Sequence, residues 1–148
     1  MPLSPVHFAG FFRTHSNQGN TATIEVKPDR NGHLKAYSPN GEVVGILEQV
    51  PLDNSFIAIS NLENHGKDRE TSKPLADEVV YTNIGSMLLY EASIKAPEDT
   101  HFQLGAKPSS RTFYEKLEFV EKPAGSGIFY NSAKKLMGTL KGRLGIEE

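Results

Sequence analysis

The segment Tyr81-Thr82-Asn83-Ile84-Gly85-Ser86-Met87-Leu88-Leu89-Tyr90-Glu91-Ala92 changes the rhythm of the chain. Before it, apolar residues alternate with polar ones; inside it, they recur every three or four positions. Ile84, Met87, Leu88 and Ala92 fall on one helical face, with Leu89 beside them. Asn83 stands where a helix cap belongs, and Pro97 ends the helix after Ala96. A helix leaves its first amide N–H groups unpaired, and with the helix dipole they favour an anion, phosphate above all. Gly85, in the opening turn, lets such a group approach the backbone. The alternative for this segment alone is an ordinary capped amphipathic helix, tightly packed at its glycine.

Upstream, residues 21–63 spell out an antiparallel meander. Thr23-Ile24-Glu25-Val26 alternates, Asn31-Gly32 marks a tight hairpin turn, and His33-Leu34-Lys35-Ala36-Tyr37 alternates again. Pro39-Asn40-Gly41 is a second turn. Val43-Val44-Gly45-Ile46-Leu47 reads as a more buried strand, residues 51–54 turn, and Phe56-Ile57-Ala58-Ile59 opens a fourth strand. Residues 1–20 form an N-terminal arm, a short strand or docked segment followed by a polar loop. Residues 64–78 are polar and charged, a long exposed loop of the kind that is often functional.

Downstream, residues 101–106 alternate as a strand. Pro108-Ser109-Ser110 starts a second helix whose Phe113, Tyr114 and Leu117 share a side. Residues 119–122 and 128–130 flank a Pro-Ala-Gly-Ser-Gly turn as a last hairpin, and residues 131–148 read as a short helix or a frayed tail. A strand–helix–strand unit joined to a meander predicts an α+β fold: a mixed, mostly antiparallel central sheet with flanking helices.

The 148 residues suit one domain. Cysteine is absent, which removes disulfides, thiolate metal sites and a cysteine nucleophile. Sixteen basic against eighteen acidic residues, a net charge of −2, argue against general attraction to nucleic acid or acidic membranes. No apolar run approaches the ~20 residues of a membrane span. The first ten residues lack the basic start and apolar stretch of a secretory signal, so a cytoplasmic chain is the expectation. The five histidines show no metal-site spacing. His65, in the long loop, is read as an exposed side chain, with service as the base as its alternative, and Lys134, Lys135, Lys141 and Arg143 as a solvated basic tail.

A second motif joins the first: Lys107-Pro108-Ser109-Ser110-Arg111-Thr112-Phe113-Tyr114-Glu115-Lys116-Leu117-Glu118-Phe119-Val120. Together, in order and spacing, the two resemble the acetyl-CoA-binding half of the GNAT N-acetyltransferase superfamily, over roughly residues 56–130. There a glycine-rich loop opens a helix that often continues Ile-Gly-x-x-Leu-Leu, and a later helix often reads Phe-Tyr-Glu-Lys-Leu-Gly-Phe. The resemblance implies a single GNAT-like domain over 1–148, with 79–130 as its coenzyme A-binding core. It implies acetyl-CoA as co-substrate and transfer of its acetyl group to a primary amine, on a small molecule or a protein. The amides of Tyr81, Thr82, Asn83, Ile84, Gly85 and Ser86 would then cradle the pyrophosphate, with Lys107 paired to a phosphate or placed at the adenosine end. Tyr114 would protonate the departing thiolate, and Glu63, near the end of the fourth strand, would draw the proton from the amine, with Glu48 as runner-up. No metal is implied.

Three positions depart from the pattern. The basic or amide residue of the loop falls on Val80, its first glycine on Asn83, and the glycine of the second motif on Glu118. The two helices that family members place between their first strands have no room here. The acceptor side is therefore open, built from the 64–78 loop, or completed by a second copy or another protein. A catalytically degenerate module that binds acyl-CoA or a protein is the alternative function.

Overall fold

Buried and less buried residues alternate along the first strands, with Phe12 and Thr14, Ile24 and Val26, and Leu34 and Ala36 inside. The structure, a computed structural model, describes residues 6–53, 55–67, 73–75 and 77–146. Residues 1–5 of the expected arm, Asn54 of the third turn, residues 68–72 and 76 of the long loop and the last two residues of the tail lie outside the described residues.

Five strands follow one another: β1 (Phe11–His15), β2 (Thr21–Pro28), β3 (Leu34–Tyr37), β4 (Val43–Pro51) and β5 (Phe56–Asn64). Each pairs antiparallel with the next. The turn at 29–33 closes as its sequence suggests: Gly32 takes φ +80°, and the Asp29 carboxylate accepts the Asn31 and His33 amides. Helix α1 (Ile84–Lys95) then crosses to β6 (His101–Gly105), which lies parallel to β5. A 3-10 turn at Pro108–Ser110 leads into the short helix α2 (Arg111–Lys116). Strands β7 (Val120–Glu121) and β8 (Ile128–Ser132) follow, then helix α3 (Ala133–Leu144). The eight strands form one mixed sheet in the order β1-β2-β3-β4-β5-β6-β8-β7. The hairpin thus folds back so that β8 fills the place beside β6 and the two-residue β7 takes the edge.

Helix α1 departs from the one-sided pattern expected of it. Besides Ile84, Met87, Leu88 and Ala92, its Ser86, Leu89, Tyr90, Glu91 and Ser93 are buried. Two neighbours cover it: α3, which packs across α1 with Leu136, Leu140 and Leu144 spaced four apart and buried, and the N-terminal segment, whose His7 meets Tyr90 and Glu91. The end of the chain is therefore a well-bounded helix. Ser132 caps it by accepting the Lys135 amide at 3.0 Å, and Gly145 ends it in the left-handed conformation. Glu91, enclosed on α1, has its carboxylate against the His7 ring and 3.7 Å from the Lys95 ammonium.

The three α-helices share one face of the sheet. Gly45 of β4 lies against Ile84 and Leu88 of α1. Leu62 of β5 stands opposite Leu47 on that face, and Phe113 of α2 reaches the same spot beside Gly85. Arg143 of α3 lies over the Phe113 ring. The other face, with Phe11, Glu25, Lys27 and Tyr37, carries no helix among the described residues. Among those residues, no helix is long and apolar enough to cross a membrane.

Candidate functional site

Strands β5 and β6 stay paired only from Phe56 to Ile59 and from His101 to Leu104. At that point β5 is bulged: Gln49 faces Ile59 and Glu48 faces Asn61, so Ser60 has no partner on β4. Beyond it, residues 61–64 of β5 pair with β4 alone, and β6 turns away at Gly105. The gap between the parallel strands is a cleft of about 580 Å³, within the range of about 300–1,000 Å³ usual for small-molecule sites. Residues 60–64 line one side, Leu104, Gly105 and Lys107 the other. The start of α1, two side chains of α2 and one of α3 complete it.

The opening turn of α1 faces this cleft through Asn83, Ile84, Gly85 and Ser86. Asn83 adopts φ 63° and ψ 19°, the left-handed conformation that asparagine tolerates better than most residues, and its side chain makes no cap. The first turn carries no acidic residue. Its positive end is therefore not neutralised from within the helix. A Cβ on Gly85 would stand in ordinary contact, 3.6 Å from the Phe113 ring and 3.8 Å from Leu62.

Tyr81 and Thr82 lie outside the cleft lining, and the reason is the hairpin between β1 and β2. The Thr82 amide donates to the His15 carbonyl at 3.0 Å, and its hydroxyl lies 2.7 Å from that of Thr14. Tyr81 is bridged to Ser16, and its carbonyl accepts from the Asn64 side chain. The expected cradle of amides narrows to residues 83–86.

Tyr114 lines the cleft, although it is only 7% exposed. Its ring packs edge-on against Phe113 and Phe119, at centroid distances of 5.2 and 5.5 Å. Burial pushes its phenol from the ordinary 10 up to about 12, because the phenolate would be poorly solvated there. The hydroxyl meets no donor or acceptor among the described residues. It keeps its proton throughout the neutral range and can donate it to a ligand.

Glu63 also lines the cleft, opposite Ile46 on β4. Its carboxylate lies 3.7 Å from Nε2 of His65, whose Nδ1 is 3.0 Å from the Val43 carbonyl. A protonated Nδ1 donates there, which turns Nε2 towards Glu63. The structure thus brings together a carboxylate and an imidazole two residues apart in sequence. Lys107 lines the cleft from the start of the 3-10 turn. Glu48 does not line it; its carboxylate accepts from the side chain of Asn61, which does.

Phe113 and Arg143 join the site without having been expected there, and His65, read first as an exposed loop side chain, lines it as well. His65 reaches it because the segment after β5 is held down, with the Leu75 amide donating to Gly66 at 2.8 Å. Arg143 arrives on α3, where a Leu136-Leu140-Leu144 spacing was the available signal that the C-terminal segment packs. No group of three or more His, Cys, Asp or Glu side chains among the described residues could hold a metal ion.

No protein-family model and no curated protein matches the chain. Among solved structures, it is similar to a candidate acetyltransferase from Deinococcus radiodurans R1. The identity is 20%, the TM-score 0.47, and the match covers 62% of this chain and 57% of that one, less than two thirds of its length.

Proposed function

We propose that this chain is a GNAT-type N-acyltransferase, a single domain that moves an acetyl group from acetyl-CoA to a primary amine. One observation carries the reading. The only parallel strand pair among the described residues separates into a cleft that holds, together, the uncapped start of α1 and the buried phenol of Tyr114.

The residues divide the chemistry as follows. The amides at residues 84–86 hold the diphosphate of the co-substrate, directing its thioester arm between β5 and β6. The backbone of β5 beyond Ile59, bonded to β4 alone, has N–H groups for the carbonyl oxygen that turns into an oxyanion. The amine nitrogen forms its bond to the acyl carbon, and the carbon–sulfur bond breaks. Tyr114 gives its proton to the departing sulfur. Glu63, with His65 beside it, takes the proton that the amine sheds. A phenol near 12 is a reluctant acid beside a thiol of about 8.5, so its donation is coupled to carbon–sulfur cleavage rather than preceding it. The acceptor is an amine on a small molecule or a protein.

Thiol release from acetyl-CoA, followed over a panel of amines, tests the reading. The Tyr114→Phe variant should lose turnover by roughly 10²-fold or more, with coenzyme A affinity nearly intact. Equal turnover in the two forms removes Tyr114 from the mechanism. One observation favours a second reading, a module that binds without catalysing: the Phe113 ring stands at contact distance before Gly85, in space a diphosphate would use. Coenzyme A binding with no thiol release on any amine would select it.

A further inference from the structure

The cleft has a charge opposite to that of the molecule. The chain carries −2 overall, yet among the described residues Lys67, Lys107 and Arg143 line the cleft against the single carboxylate of Glu63. None of the three cations has an acidic partner among the described residues. A concave site with low-dielectric walls concentrates such a field and draws an anion into it.

Arg143 is the cation whose position is built. It occupies the last turn of α3, which is fixed by three buried leucines and ended by Gly145, whose neighbour Ile146 donates its amide to the Lys141 carbonyl at 3.0 Å. Its guanidinium lies 5.7 Å from the centre of the Phe113 ring, a stacking distance that orients the group while leaving its donors unspent. Phe113 in turn lies before Gly85 at the start of α1. The sequence position where a basic or amide side chain would serve this turn is Val80, which is buried and apolar. A guanidinium fork suits a phosphate, offering two parallel donors to its oxygens.

We infer that Arg143 is the diphosphate-recognising side chain of the cleft, supplied from the C-terminal helix in place of a residue at Val80, with Lys107 assisting. The inference deepens the acyltransferase reading and rests on it for the identity of the ligand, coenzyme A. The recognised chemistry, a diphosphate, is shared with a nucleoside diphosphate.

Calorimetric titration of the full chain with coenzyme A, ADP and pantetheine, over a range of salt, tests it. The probes separate the diphosphate from the thiol arm. In Arg143→Gln, affinity for coenzyme A and for ADP should fall about tenfold or more, as for loss of a charge-assisted hydrogen bond. The ratio of coenzyme A to pantetheine affinity should shrink by the same factor, and the salt dependence should flatten. Arg143→Lys should recover part of the loss, since it restores charge without the fork. A merely structural arginine would move neither the ratio nor the salt dependence. If Arg143→Gln binds coenzyme A and ADP as the parent does, the inference falls and the acyltransferase reading stands. If ADP binds in an Arg143-dependent way while coenzyme A does not bind, the inference stands and the acyltransferase reading falls. If the parent binds neither, both fall.

Discussion

Tyr114 joins burial to access: its ring is enclosed by Phe113 and Phe119 while the residue still lines the cleft. The burial leaves a signature away from catalysis. The phenol ionises near 12 when folded and near 10 when unfolded. The unfolded chain therefore sheds this proton first, so the contribution is complete below pH 10 and is lost as pH rises towards 12. Denaturant unfolding at pH 8 and pH 11 should show the parent losing roughly 1 kcal/mol more than Tyr114→Phe. Gly45 makes a second prediction. A Cβ there would overlap the Ile84 methyl and stand 3.0 Å from the Glu63 carbonyl oxygen and 3.2 Å from Leu88. Gly45→Ala should cost about 1–3 kcal/mol by overpacking, read as a lower unfolding midpoint. At this scale the sequence spoke unevenly. Tyr114, Gly85 and Asn83 stood in motifs with a chemical reason. The Thr82 amide looked equally available, and only the β1–β2 hairpin, some seventy residues upstream, shows that it is taken.

Among the elements, the hairpins were the most legible, because a turn such as Asn31-Gly32 is a local event that its own residues decide. Helix α1 was legible in position and not in surroundings. Its polar Ser86 and Ser93 lie opposite Ile84 and Leu88 and are covered only once α3 is laid across the helix. Covering is a tertiary fact, set by an element fifty residues later. The last hairpin shows another such bond. Arg111 of α2 pairs with Glu121 of β7, and the Glu121 carboxylate also accepts the Gly127 amide. The guanidinium first, then the amides of Gly125 and Gly127, hold this carboxyl down to about 2, from an ordinary 4.5. Its contribution to stability is present above 4.5 and lost as pH falls through about 2. Glu121→Gln should unfold more easily than the parent at pH 6, and the gap should narrow as the pH is lowered towards 2. A gap that stays constant from pH 6 to pH 2 would place the effect elsewhere than this ionised pair.

Across the whole molecule, the mixed character of the sheet followed from the order of elements, since a strand–helix–strand unit demands a parallel pair. The point of separation did not. It depends on a bulge at Ser60 and on β6 turning away at Gly105, and neither carries a sequence signal beyond a glycine. The cleft therefore had to be seen, whereas several residues that line it stood in recognisable motifs. The assembly joins four distant stretches: the end of β5, the start of α1, the α2 turn and the last turn of α3. Its central claim is that a thioester arm lies between β5 and β6 with its sulfur at the Tyr114 phenol. A crystal structure with coenzyme A tests this most directly. The sulfur should lie between the separating strands within hydrogen-bond reach of the Tyr114 hydroxyl, with the diphosphate against residues 84–86. A sulfur on the helix-free face of the sheet, or a diphosphate remote from the start of α1, would contradict the account.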